Sequence, residues 1–140
     1  MASTVYDFER DAARRWGPVE GVELLRKAES FARAAWLAIE EGDREIATDV
    51  AALAAVTAAD AVACIRLGKR SAAPARREAV RLLLQADPTA TEAARVVDQL
   101  LQLRQQGRRG VPVTESEARR SVIRAARVVE YASSLALGEN

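Results

Sequence analysis

The fold is decided by the stretch DREIATDVAALAAVTAADAVACIRLG, residues 43–68. Between Val50 and Ile65 this stretch would be apolar around most of the circumference of a helix. A helix with such a pattern lies among other helices, because a helix on a surface keeps one polar face. Asp43 can cap its start and Gly68 can end it. We therefore expect a central helix here, surrounded by the other helices of the chain.

The segments before this stretch also have helical periodicity. From Val19 to about Glu41, apolar residues recur every three or four positions, which predicts a helix with one face on a core. Gly42 ends this helix in a tight turn, so the two neighbours are expected to be antiparallel. A short leading helix is expected over 4–15, ended by Gly17 and Pro18.

Three more helices are expected after the central one. A short helix starts near Pro74 or Ala75 and ends near Ala86. The next starts near Thr89 or Thr91 and runs into the stretch LRQQGRRGVPVT, residues 103–114. The sequence TESE, residues 114–117, fits a capping box and predicts a sharp start for the last helix.

The composition supports an all-α protein of one domain. Thirty of the 140 residues are alanine and only six are Phe, Trp or Tyr, so the core consists of small side chains that let helices approach closely. We predict an antiparallel bundle of five to six helices, with residues 1–17 forming the short leading helix and residues 19–137 the bundle core. Trp16 and Trp36 stand alone in the sequence and are expected to pack instead of stacking on bases.

The location of the protein is expected to be cytoplasmic. The single cysteine, Cys64, allows no intramolecular disulfide and is expected to be a small buried hydrophobe. Asp49 and Asp60 interrupt the longest apolar run, and no apolar leader is visible, so neither membrane spanning nor secretion is indicated. No cofactor is expected, because the sequence has no phosphate-binding glycine loop and no cluster of metal ligands.

Positive charge is concentrated in the second half of the chain. Residues 1–65 carry 7 basic and 12 acidic groups, whereas residues 66–140 carry 14 basic and 8 acidic groups. Two basic loops could contact nucleic acid phosphate, a nucleotide or an acidic partner. If they open at the same end of the bundle, they form a single positive surface; alternatively, the charges meet within the fold or across a dimer. The candidate binding residues in these loops are Arg70, Arg76, Arg77, Arg104, Arg108 and Arg109.

Asp60 and Thr57 are a second candidate site. They lie one turn apart in the most apolar helix, where a carboxylate needs a hydrogen-bonding or cationic partner. Two interpretations remain open: a structural ion pair with an arginine of the basic half, or a ligand-binding role.

Two blocks of the sequence, residues 24–70 and 103–132, resemble the HEPN family of small bacterial and archaeal helical domains. The first block has a leucine-rich opening, a Gly-Asp turn and an alanine-spaced helix; the second has an arginine, a short turn with glycine and a final helix rich in Glu and Ala. The resemblance covers about residues 22–131. It implies a helical bundle, commonly a homodimer, and functions that range from ribonuclease toxins to partners of nucleotidyltransferases and non-catalytic binding modules.

The chain departs from the catalytic pattern of that family. Catalytic members carry a histidine four to six residues after an arginine, and Arg104 stands where that arginine would be, but the chain has no histidine. Arginine stays protonated at neutral pH and cannot replace histidine as a general base. The sequence is therefore similar to a diverged, actinobacterial-type branch of the family. We expect a non-catalytic HEPN-like binding module; the alternatives are a ribonuclease toxin-like enzyme and a purely structural dimerisation protein.

Overall fold

The computed structural model describes residues 17–71 and 77–138. Within these ranges the chain forms five helices and no strand, which confirms the all-α prediction. The helices are α1 (Pro18–Glu40), α2 (Arg44–Leu67), α3 (Glu78–Ala86), α4 (Thr91–Arg108) and α5 (Glu115–Ala136). The expected leading helix, Trp16 and the expected start of α3 near Pro74 or Ala75 lie outside the described residues.

Helix α2 is the centre of the bundle, as the sequence predicted. Every residue from Ala51 to Cys64 except Leu53 is buried. By length and composition α2 is apolar enough to cross a membrane, but 72% of its most apolar window is covered by the rest of the protein. The core helix of a bundle has the same composition, so this feature is explained by packing.

Local signals place the helix ends where the sequence predicted them. Gly42 and Gly68 follow α1 and α2 with φ of 80° and 66°, a left-handed conformation that glycine adopts without strain. At the start of α5, Thr114 Oγ1 accepts from the Glu117 amide at 3.1 Å, and Glu117 Oε1 accepts from the Thr114 amide at 3.0 Å. This is the predicted capping box.

Contacts between helix ends establish the directions of the helices. Gly21 near the start of α1 faces Ala61 and Ile65 near the end of α2, so these helices are antiparallel. Asp49 near the start of α2 contacts Arg104 near the end of α4, so these are antiparallel as well. The start of α5 lies beside the end of α4, and α5 therefore runs in the same direction as α2.

The connection between α3 and α4 is tied to α5 by a side-chain hydrogen bond. Tyr131 Oη donates to Asp87 Oδ2 at 2.6 Å. Asp87 Oδ1 accepts from both the amide and the hydroxyl of Thr89, at 3.0 and 2.6 Å. Thr89 is thus engaged in the turn, and α4 begins at Thr91. The bonds from Thr89 and Tyr131 hold the pKa of Asp87 below its ordinary value of 3.8.

The first prediction concerns the close approach of α1 and α2. A Cβ atom at Gly21 would collide with the side chain of Ile65 and lie 3.1 Å from the carbonyl oxygen of Ala61. We expect Gly21→Ala to lower the free energy of unfolding by about 1–2 kcal/mol, because overpacking outweighs the gain in helix propensity. Urea unfolding measures the change. The control is Gly107→Ala in α4, where a Cβ would meet nothing within 4 Å; it should leave stability equal or slightly higher, and equal stability of both variants would contradict the close approach.

The second prediction concerns the link between Asp87 and Tyr131. Tyr131→Phe removes one hydrogen bond to a charged acceptor and should lower the free energy of unfolding by about 1–2 kcal/mol at pH 7. Because the pKa of Asp87 is lowered in the folded protein, its stabilisation is complete above 3.8 and is lost as pH falls through the folded-state pKa. The destabilisation by Tyr131→Phe should therefore shrink at low pH. Thermal unfolding of both proteins from pH 7 downward measures this, and a difference that does not depend on pH would contradict it.

Candidate functional site

The stretch 103–114 is the end of α4 and the loop that leads to α5. The amides of Arg109 and Val111 donate to the carbonyl oxygen of Gln106, each at 3.0 Å, and close the last turn. Gly110 has φ of 85°, which reverses the chain direction after the helix. The loop therefore ends a helix in an ordinary way, and its side chains surround a pocket.

This pocket, which we call the Arg104 pocket, has a volume of about 280 Å³. It lies between the start of α2, the end of α4 and the loop before α5. Its lining combines both signs of charge with aliphatic groups: Glu45, Ile46, Asp49, Leu103, Arg104, Arg108 and Val113. The side chains of Ile46 and Val111, which lies two residues before Val113, are about half exposed.

Arg104 is neutralised within the fold. Its Nε donates to Asp49 Oδ1 at 2.6 Å, and the side chain of Arg104 is only 13% exposed. A charge-assisted bond of this length fixes both side chains. Arg104 therefore joins α4 to α2, and its charge is not available to a ligand in the way the sequence suggested. The side chain of Asp49 is 44% exposed.

Arg108 and Arg109 have a different environment. Both are exposed, and within the described ranges neither side chain makes a hydrogen bond or ion pair. Arg108 at the end of α4 and the exposed Glu45 at the start of α2 both line the pocket. The two charges therefore border one pocket, and the loop does not present positive charge alone.

The other basic candidates lie elsewhere. Arg77 Nε is 3.8 Å from Asp98 Oδ1 on the surface of α4, and Arg76 lies outside the described residues. Arg66 ends α2, whereas Arg104 contacts its start, which places them roughly 25 Å apart along the helix axis. Arg66 and Arg104 therefore lie at opposite ends of α2.

Arg70 lies with Thr57 and Asp60 at a second pocket, of about 110 Å³, which we call the Asp60 pocket. Asp60 is 4% exposed, and its Oδ1 accepts from the Ser71 amide at 2.9 Å and from the Ser71 hydroxyl at 2.8 Å. The predicted need for a partner at Asp60 is thus met in part by Ser71. No local sequence pattern singles out Ser71, since it reaches Asp60 only because the loop after Gly68 turns back along α2.

The environments of two further residues, Cys64 and Trp36, bear on expectations from the sequence. Cys64 is buried, and burial raises the pKa of its thiol to about 11, so the thiol stays protonated at neutral pH. Trp36, expected to pack, is 47% exposed, because α1 turns this position away from the core. Among the described residues, no group of Cys, Asp and Glu could hold a metal ion.

Comparison with known proteins finds no matching family model, no similar curated protein and no similar solved structure. The resemblance to the HEPN family, with the homodimer and the nucleotidyltransferase-type partner that it implies, therefore stays a prediction. The site has to be interpreted from its own residues.

The third prediction separates the two arginines of the pocket. Arg104→Met keeps the apolar stem but removes the bond to Asp49, so we expect the free energy of unfolding to fall by about 1–2 kcal/mol. Arg108→Met, the matched control, should change it by less than about 0.5 kcal/mol, because Arg108 is an exposed surface residue. Chemical denaturation measures both. If the two variants were equally stable, Arg104 would not join the helices.

Proposed function

We propose that the protein is a non-catalytic, HEPN-like binding module that receives a short segment of a protein partner in the Arg104 pocket. The observation that carries this proposal is the mixed character of the pocket. An exposed guanidinium, Arg108, and an exposed carboxylate, Glu45, border a pocket that is also lined by aliphatic side chains, among them the half-exposed Ile46. Apolar contact with a few polar groups for orientation is the usual character of binding pockets and interfaces.

The distribution of charge favours a protein partner over nucleic acid. Binding to phosphate depends on positive charge without nearby counter-charge. Here Asp49 neutralises Arg104, and Arg119 at the start of α5 pairs with Glu115 at 3.3 Å. Glu45 and Asp49 would also repel a phosphate that approached Arg108 through the pocket. A polypeptide, in contrast, can place an acidic group against Arg108, a basic group against Glu45 and an apolar group against the aliphatic lining.

The pocket also indicates which segment would fit. Arg108 can pair with a carboxylate of the partner, and Ile46, Leu103 and Val113 can cover an aliphatic side chain. We therefore propose a segment with an acidic residue next to an aliphatic one. The absence of catalysis belongs to the same proposal, because the chain has no histidine and the arginines of the pocket cannot accept a proton near neutral pH.

Selection of binders from a random peptide library tests the proposal, followed by affinity measurement with one selected peptide in fluorescence polarisation. We expect acidic-aliphatic peptides to be selected. Arg108→Glu should lower the affinity for the selected peptide by about ten-fold or more. The substitution removes a charge-assisted bond and introduces repulsion of the peptide carboxylate. Arg127→Glu makes the same change of charge on the exposed side of α5, outside the pocket, and should leave the affinity unchanged.

Titration with labelled single-stranded RNA and duplex DNA at several salt concentrations tests the other candidate partner. Under the proposal, the protein shows at most weak binding that does not respond to Arg108→Glu combined with Arg109→Glu. Tight binding that weakens with salt and is lost in this double variant would show that the loop with Arg108 and Arg109 binds nucleic acid, and it would overturn the proposal.

A further inference from the structure

The side of α4 that faces α5 carries side-chain amides where acidic residues would neutralise the arginines of α5. Four of the five glutamines of the chain lie between positions 99 and 106. Three of them, Gln99, Gln102 and Gln106, line one side of a groove between the two helices. Arg120 and Arg124 of α5 line the other side. We call this feature the α4–α5 groove.

The two arginines of the groove have no partner among the described residues. They lie one turn apart on α5, and within residues 17–71 and 77–138 neither side chain makes a hydrogen bond or ion pair. Arg120 is exposed, whereas Arg124 is half-buried. The neighbouring Arg119, in contrast, pairs with Glu115 one turn earlier on the same helix. A half-buried guanidinium without such a pair is stabilised by a counter-charge from outside the fold.

The carboxylates whose charges interact with these arginines are bonded elsewhere. Glu117 lines the groove near Arg120, but its Oε1 accepts from the Thr114 amide at 3.0 Å in the capping box. Glu92 interacts with Arg124 through its charge, but both of its oxygens accept from the guanidinium of Arg95. Two guanidinium groups therefore face the groove beside a single carboxylate, which is bonded to the end of its own helix.

The amides of α4 add hydrogen-bond donors to this positive charge. Gln102 Nε2 donates to Asp98 Oδ2 at 2.9 Å. The side chains of Gln99 and Gln106 make no hydrogen bond within the described part of the chain. Two guanidinium groups and two amides can thus donate to one anion. A phosphate group carries about two negative charges at neutral pH and several acceptor oxygens, so it matches two arginines better than a carboxylate does.

We propose that the α4–α5 groove binds a phosphate group, either free phosphate or a phosphate monoester of a small molecule. Arg120 and Arg124 supply the counter-charge, and the amides of Gln99 and Gln106 donate to the remaining oxygens. This site is separate from the partner-binding function of the Arg104 pocket, and loss of either function leaves the other in place.

Titration of the full-length protein with inorganic phosphate, followed by NMR amide shifts at constant ionic strength, tests this proposal. We expect saturable shifts in the parts of α4 and α5 that line the groove. Acetate carries one charge and should bind about ten-fold more weakly. Glycerol 3-phosphate distinguishes the two sources: tighter binding than inorganic phosphate indicates a monoester, and equal binding indicates free phosphate. Shifts that do not saturate, or equal binding of acetate and phosphate, would show an adventitious ion only and overturn the proposal.

Two pairs of variants locate the site. Gln106→Glu places a carboxylate in the groove and should lower the affinity for phosphate by about ten-fold or more, whereas Gln105→Glu makes the same change of charge at an exposed position outside the groove and should leave it unchanged. Arg124→Met keeps the apolar stem and should also lower the affinity by about ten-fold. Its matched control is Arg127→Met, on the exposed side of α5. Equal effects within either pair would overturn the proposal, because the binding would then respond only to net charge.

Discussion

Alanine side chains on α2 let the surrounding helices approach its backbone closely, and the rest of the structure depends on this approach. Burial is nearly continuous from Ala51 to Cys64. With so little side-chain volume at the centre, the neighbours must have small residues where they cross α2, as Gly21 does against Ala61. The bundle is dense around α2, and two of its pockets lie where the alanine pattern of α2 is interrupted.

The two pockets lie at those interruptions. Asp49 and Asp60 are the acidic residues of α2 beyond its first turn, and each lines one pocket. Each carboxylate also accepts hydrogen bonds from a neighbouring element, from Arg104 of α4 and from Ser71 of the loop after α2. A carboxylate within a packed helix requires polar atoms around it, and polar atoms leave room that alanine contacts would close. The same two residues therefore connect the packing of the bundle with its candidate sites.

Helix boundaries could be predicted from the sequence because they depend on neighbouring residues. Gly42, Gly68 and the capping box at Thr114 act within one turn of the helix ends that they determine. The sites could not be predicted in the same way. Arg104 and Asp49 are 55 residues apart, and Tyr131 and Asp87 are 44 apart, so no local pattern pairs them. Charge counts indicated a basic loop at 103–114, but whether its arginines were exposed or neutralised depended on which part of α2 lies beside it.

An alanine-rich helix has shallow ridges, and two such surfaces can slide along each other at little cost. In α2 the sliding is opposed by a directional contact with another helix, the Arg104–Asp49 bond near its start, whereas the Ser71–Asp60 bonds hold the loop after α2 against the helix itself. The Arg104–Asp49 bond is lost if α2 shifts by one turn, about 5.4 Å, relative to α4. The Asp49 carboxylate therefore fixes the axial position of α2 against α4, which alanine contacts alone would define only weakly.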